Sequence, residues 1–139
     1  LKVDDKTMAH YLSALKETGL ISTIFADKKG MALIRKTEKI FIENTTLYNA
    51  ICYGIGQGVN LGMMREIFFV NSIIGSGENV FYSKNFGDFT CGDYNFEIGG
   101  KKKKIEQIVL DMQNSFLVKD EILIASKRAI PLYLFGFLY

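Results

Sequence analysis

The chain has 139 residues, which is enough for one compact domain or for one small domain joined to part of another. Hydrophobic residues make up 48% of it, charged residues 23%, and there is one proline, a composition that excludes a disordered tail and a low-complexity fibre. The 17 Lys and Arg residues against 15 Asp and Glu residues leave a net charge of only +2, so any basic footprint for nucleic acid has to be local.

An amphipathic helix is predicted between residues 4 and 19. Met8, Leu12 and Leu15 recur there at helical spacing, behind an acidic capping residue and ahead of a glycine that stops the helix. The other side of this helix is polar and charged. The pattern therefore predicts one helix with an apolar face and a polar face.

Two strands joined by a basic turn follow this helix. Residues 20–25 are β-branched and apolar, residues 27–30 have turn composition, and residues 31–35 return as the second strand. Helix, strand, basic turn and strand are the outline of a winged-helix module. Such a module contacts DNA with the outer helix face and the wing cations, or else it only joins domains and contacts other proteins. The candidate nucleic-acid contacts here are Lys6, His10, Lys28, Lys29 and Arg35.

A glycine-rich stretch at residues 54–58 marks the boundary between two predicted units. It satisfies neither of the two glycine-rich phosphate-loop templates, because the third glycine and the lysine are absent from the required places. A flexible joint is the alternative to a phosphate loop, and we favour the joint. The predicted units are a partial winged-helix module over residues 1–54 and a second domain over residues 55–139.

The second unit has the pattern of an α/β domain with a mixed sheet at its centre. Its last apolar stretch is about half of the roughly 20 residues that a membrane helix needs, so it predicts a core segment and no membrane partner. The predicted order is a helix at 60–74, strands at 80–83, 88–91 and 94–98, a lysine-led segment at 101–112, a strand at 115–119 and the core segment at 129–139.

Three acidic residues and a lysine take characteristic places on these elements. Glu66 lies inside the helix, Asp88 begins one strand, Glu97 lies late on the next, and the lysine run from Lys101 follows. This arrangement resembles the restriction-endonuclease-like core, which has an Asp on one strand and Glu-x-Lys on its neighbour. The resemblance implies that the three acids bind Mg²⁺ or Mn²⁺ and that Lys101 assists attack of water on a phosphodiester.

A wider resemblance covers most of the chain. The stretches 11–21, 87–89, 96–101, 106–108 and 130–139 are similar to the C-terminal region of a prokaryotic AAA+ ATPase family. In that family an ATPase module and a winged helix precede a nuclease-like domain of uncharacterised function. The resemblance implies a truncated winged helix before a restriction-endonuclease-like domain, with ATP bound only by a module outside this chain. It also implies a binding partner, which is that ATPase module, DNA or RNA, or another protein.

One departure from the nuclease signature leaves the activity open. The position two residues after Glu97 is Gly99, and Lys101 is the nearest following lysine, so we expect a degenerate or altered site. Asp88 is alternatively a turn residue, Glu97 a salt-bridged structural acid, and Glu66 a surface residue paired with Arg65. The lysines after Lys101 are either phosphate contacts or a solvated face; they are Lys102, Lys103 and Lys104.

The remaining features concern the chain's compartment. Two cysteines, Cys52 and Cys91, and a single histidine suggest neither a disulfide framework nor a zinc site, so free thiols in a reducing cytosol are expected. The chain opens at Leu1 without Met or a basic-then-apolar leader, so we expect a fragment or processed product rather than a secreted precursor.

Overall fold

The computed structural model describes residues 4–26, 37–83, 87–104 and 113–138. These residues form three α-helices, seven strands and a C-terminal 3₁₀ helix. The helices are α1 (Asp5–Glu17), α2 (Thr45–Gly54), α3 (Leu61–Gly75) and the 3₁₀ helix Leu132–Phe137. The strands are β1 (Ile21–Phe25), β2 (Thr37–Ile42), β3 (Phe81–Tyr82), β4 (Phe89–Cys91), β5 (Tyr94–Gly99), β6 (Ser115–Lys119) and β7 (Ala129–Pro131).

The main sheet has five strands in the order β3-β4-β5-β6-β7. Strand β4 runs antiparallel to both β3 and β5, whereas β5, β6 and β7 are parallel to one another. The prediction of an α/β fold with a central mixed sheet is therefore confirmed. Strands β1 and β2 form a separate antiparallel pair, and a single bridge between Ala26 and Tyr82 links that pair to β3.

Short polar side chains fix where the helices begin. The carboxylate of Asp4 accepts a hydrogen bond from the Thr7 N–H at 2.9 Å, and the Asn44 side chain accepts one from the Leu47 N–H at 2.8 Å. These contacts satisfy backbone donors that have no partner in the first helical turn. The hydrogen bonds from Thr7 also lower the pKa of the Asp4 carboxyl below its ordinary value. The cap at Asp4 agrees with the acidic capping residue predicted for the first helix.

The hydrophobic core lies between α3 and one face of the five-stranded sheet. Phe69 of α3 is fully buried at its centre, and its ring lies 5.8 Å from the Phe89 ring, 5.2 Å from Phe96 and 4.8 Å from Phe135, measured between centroids. These rings come from α3, β4, β5 and the 3₁₀ helix. One aromatic cluster therefore joins four elements.

The same core extends to the N-terminal pair of strands. Ile24 of β1 and Phe41 of β2 belong to the buried cluster, and the Phe41 ring lies 5.9 Å from the Phe89 ring between centroids. Helix α2 packs against α3. The boundary near residue 55 stays a prediction, but described contacts cross it.

The first helix differs from the sequence expectation in its packing. Helix α1 exists, but none of its 13 residues, all of them described, is buried. Met8 is 48% exposed, Tyr11 55% and Leu15 39%. The predicted apolar face is therefore left largely in contact with solvent, because the described β1 and β2 cover little of it.

The winged-helix prediction is only partly covered by the described residues. Strand β1 pairs with β2, so that Ile21 lies opposite Ile42. The predicted wing turn at 27–30 and the predicted strand at 31–35 lie outside the described residues, as does most of the lysine-led segment. The winged helix stays a prediction.

The C-terminal apolar stretch forms more regular structure than the sequence indicated. Residues Ala129–Pro131 add the fifth strand of the sheet, parallel to β6, and the 3₁₀ helix then packs Leu132 and Phe135 onto the core. Among the described helices, none has the length and apolar composition needed to cross a bilayer.

Candidate functional site

Glu97 is a carboxylate buried on the face of the sheet that points away from α3. Side chains alternate along a strand, and its neighbours Phe96 and Ile98 both belong to the core on the α3 side. Glu97 is only 5% exposed. Burial of a charged group is costly unless the group is paired, so the surroundings of this carboxylate decide what the site can do.

Asp88 directly precedes β4 and is hydrogen-bonded to the two residues that flank Glu97 on β5. Phe89, the first residue of β4, pairs with Phe96 of β5. The Asp88 N–H donates to the Phe96 carbonyl at 2.8 Å, and its Oδ2 accepts from the Ile98 N–H at 2.7 Å. The Asp88 carboxylate is therefore anchored to the backbone of β5.

Gly87 allows this position of Asp88. Its φ of +73° is in the left-handed region, and a Cβ built on it would lie 2.7 Å from the Phe96 carbonyl oxygen. Only glycine combines that backbone conformation with such a close approach of two strands. Gly87 thus holds the start of β4 tightly against β5.

Lys103 supplies the cation beside Glu97. Its Nζ lies 3.0 Å from Glu97 Oε1. The Lys103 N–H donates to the Gly100 carbonyl at 2.9 Å, which closes a turn directly after β5 and reverses the chain. The side chain then runs across Gly99, where an added Cβ would lie 2.5 Å from both Lys103 Cβ and Cγ.

The lysine that contacts the acid is thus not the one nearest to it along the sequence. Lys101, which the sequence analysis assigned to the site, is at an exposed corner of the turn with Lys102. The sequence feature that could have indicated Lys103 is the Gly99-Gly100 pair. Two glycines permit both the turn and the passage of a side chain over the end of the strand.

The Glu97 carboxylate keeps one oxygen without a partner. Its Oε2 is buried and has no hydrogen-bond donor among the described residues, and the same holds for Thr90 Oγ1 and Ser115 Oγ. Strand pairing places Thr90 and Ser115 on either side of Asn95, which shares the Glu97 face of the sheet. This face therefore carries buried polar groups next to apolar ones, since the register partner of Glu97 on β6 is the buried Leu117.

Glu66 has a different partner. Its Oε2 accepts from Lys39 Nζ at 2.7 Å, and that ammonium also lies over the rings of Tyr82 and Phe89, 4.9 and 5.1 Å from their centroids. Arg65 does not pair with Glu66 but bonds Asp120 at 3.0 Å. Lys39 was not found from the sequence, because it is 27 positions from Glu66.

The candidate ligands are only partly brought together. The described residues contain no cluster of three or more His, Cys, Asp and Glu side chains arranged to hold a metal ion. Asp88 is hydrogen-bonded to both neighbours of Glu97 on β5, whereas Glu66 is held by Lys39. Two carboxylates with a buried, unpartnered oxygen fit a hard cation such as Mg²⁺ or Mn²⁺ in their chemistry, since both ions prefer oxygen ligands.

The candidate nucleic-acid contacts fall into three groups. Lys6 and His10 are exposed on α1, and Lys28, Lys29 and Arg35 lie outside the described residues. The exposed cations beside the Asp88–Glu97 pair are Lys101, Lys102 and Lys104, while Lys103 is engaged by Glu97.

One further cation near the site was missed in the sequence. Lys119 is half-buried at the end of β6, and its register partner on β5 is Gly99. Paired residues share a sheet face, so Lys119 belongs to the Glu97 face. It adds to the positive charge at this end of the sheet.

Both cysteines are free thiols, Cys52 buried and Cys91 half-buried. Burial, and secondarily the Glu78 carboxylate, raises the pKa of the Cys91 thiol above its ordinary value. A raised pKa favours the protonated, less nucleophilic thiol form.

The chain was also compared with known proteins. No family model, curated protein or solved structure matches it. Function is therefore inferred from the residues and their geometry.

Proposed function

We propose that this chain is the C-terminal, nucleic-acid-associated or regulatory region of an AAA+ ATPase and carries an altered site of the PD-(D/E)xK nuclease type. One observation carries the proposal: Asp88 is hydrogen-bonded to Phe96 and Ile98, the two neighbours of Glu97 on β5, and the amine of Lys103 contacts Glu97. A helix carrying Glu66 precedes these strands, and the sheet is mixed. Each feature agrees with the arrangement that the resemblance implies.

The roles of the residues follow from their contacts. Asp88 and Glu97 would hold Mg²⁺ or Mn²⁺ through carboxylate oxygens, with Glu66 as a third ligand only if Lys39 releases it. A bound divalent ion polarises a phosphodiester and lowers the pKa of a coordinated water. Lys103, rather than Lys101, takes the place beside the glutamate that the lysine of the signature occupies.

The substrate class is a nucleic-acid backbone. Lys101, Lys102 and Lys104 are exposed on the turn and the residues that follow it, immediately beyond the acid pair. Clustered lysines attract phosphates without reading sequence, so we assign DNA or RNA binding without base specificity to this turn. ATP would bind only in the ATPase module implied by the resemblance.

Removing the three exposed lysines of the turn is expected to weaken nucleic-acid binding by about tenfold at low salt. Each phosphate contact contributes about one unit to the salt slope, so the slope should fall by up to about three. Fluorescence anisotropy with labelled single- and double-stranded oligonucleotides measures both quantities. The control is Lys127→Met, which removes an exposed lysine elsewhere. Equal affinities for wild type and the triple variant would contradict the proposal.

Cleavage tests the acid pair separately. We expect Mn²⁺-dependent nicking of DNA or RNA that falls at least tenfold in Asp88→Asn, with nicked product quantified on denaturing gels. Asp93→Asn is the matched control, because Asp93 is exposed at the opposite end of the same hairpin. Binding without cleavage identifies a degenerate site that is kept for binding. Loss of both activities favours the second candidate function.

The second candidate is a protein-interaction module that couples a partner to the ATPase without catalysis. The exposed apolar side chains of α1, chiefly Met8 and Tyr11, favour it. Apolar side chains grouped on one helix face are typical of protein contact sites. The two candidates differ in their response to lysine removal, which only the nucleic-acid function requires.

A further inference from the structure

We propose that Glu97 is a cation-exchange position at which the ammonium of Lys103 stands in the place of a divalent cation and must leave before that cation binds. The inference rests on the proposed function in one respect, the assignment of Asp88 and Glu97 as ligands. It adds a regulation of that site. Lys103 is then an internal competitor of the metal as well as a neighbour of the reacting groups.

The two partners of the ion pair differ strongly in exposure. The Glu97 side chain is 7% exposed, whereas the Lys103 side chain is 42% exposed. A lysine ammonium on a flexible stem can move into water at small cost, because little of its hydration is lost in the pair. A buried carboxylate cannot follow it and has to be compensated in place. The Lys103 ammonium can therefore be replaced by another cation, whereas the Glu97 carboxylate stays in place.

The backbone around Lys103 favours this exchange. Lys103 is the last residue of a tight turn, and its stem crosses Gly99 without an intervening side chain. Rotation of the stem alone moves the ammonium away from Glu97, so the strands need not shift. The contact can therefore open without unfolding the sheet.

Two negative groups stay behind when the ammonium leaves. Glu97 Oε2 already has no donor among the described residues, and Asp88 is hydrogen-bonded to both neighbours of Glu97 on β5. Asp88 Oδ2 is tied to the Ile98 N–H, which fixes the carboxylate against β5. Two carboxylates held on neighbouring backbone segments repel each other, and a divalent cation relieves that repulsion better than one ammonium does.

The test is the affinity for Mn²⁺ alone, measured from the EPR signal of the free ion during titration of the full chain. Lys103→Met is expected to bind Mn²⁺ at least tenfold more tightly than wild type. Lys127→Met removes the same charge from an exposed loop and is expected to leave the affinity unchanged. Adding Glu97→Gln to Lys103→Met should abolish the gain.

A second variant keeps every charge and displaces the same contact. In Gly99→Ala the new methyl group would lie 2.5 Å from Lys103 Cβ and Cγ, so the turn that carries Lys103 must shift and take the side chain away from the strand. A gain in Mn²⁺ affinity in this variant supports exchange even if Lys103→Met folds poorly. In wild type, Mg²⁺ titration should shift the Lys103 Cε resonance in NMR spectra of ¹³C-lysine-labelled protein.

The outcomes separate the two proposals. Unchanged or weaker Mn²⁺ affinity in both Lys103→Met and Gly99→Ala overturns the exchange, whatever the cleavage result. Tighter Mn²⁺ binding without any nucleic-acid binding or cleavage supports the exchange and contradicts the proposed function. Tighter Mn²⁺ binding in Lys101→Met but not in Lys103→Met would show that Lys101, and not Lys103, competes with the metal. That result would also overturn the inference.

Discussion

Replacing Phe69 by alanine is expected to lower the free energy of unfolding by about 3–5 kcal/mol. The Phe69 ring is completely buried, and the rings of Phe89, Phe96 and Phe135 surround it. Alanine removes the apolar transfer free energy of the ring and leaves a cavity. Because four elements meet at this ring, the cavity cannot close by the movement of one side chain.

Urea unfolding followed by far-UV circular dichroism measures this change. Phe137→Ala is the control, because Phe137 is 77% exposed and its loss should change stability by less than about 0.5 kcal/mol. Similar values for the two variants would contradict a core centred on α3 and the sheet. A loss confined to one half of the chain, seen as two transitions, would instead support the predicted boundary near residue 55.

Gly87→Ala is expected to cost at least about 2 kcal/mol in unfolding free energy. The left-handed backbone conformation costs an L-residue about 1–2 kcal/mol. The added methyl group would also lie 2.7 Å from the Phe96 carbonyl oxygen, which belongs to the backbone of β5 and cannot rotate away. The start of β4 must therefore move away from β5, and Asp88 moves with it.

Gly19→Ala separates the cost of the left-handed backbone conformation from the cost of the steric clash. Gly19 has the same φ of +73°, but nothing lies within 4 Å of the position of its Cβ. Denaturant unfolding should give Gly19→Ala only the conformational cost, about 1 kcal/mol, and give Gly87→Ala a clearly larger one. Gly87→Ala should also weaken Mn²⁺ binding, whereas Gly19→Ala should not. Equal stability losses would show that the strands yield to the methyl group.

Local sequence signals predicted most of the regular structure. The end of α1 just before Gly19 and the span of β6 both follow from short-range chemistry. The short strands β4 and β5 were found because aromatic and β-branched residues alternate between turn residues. Such patterns depend on neighbours in sequence, so one chain is sufficient to detect them.

The packing of these elements could not be predicted as well from the sequence. The helical spacing of Met8 and Leu15 gave α1 correctly but not its exposure, because burial depends on what another element covers. The short strand β7 escaped detection, since three apolar residues have no period of their own and join the sheet only through β6. Tertiary pairing decided both outcomes.

The candidate site likewise has features that the sequence determined and features that only the tertiary structure decided. The sequence determined the acids, since Asp88 and Glu97 stand on strands separated by a short turn, and it determined the glycines that follow β5. Only the tertiary structure decided the partners: Lys103 for Glu97, and Lys39 for Glu66 from 27 positions away. Charge pairing requires a distance of a few ångströms, and that distance is set by strand register and chain reversal, which a linear pattern does not encode.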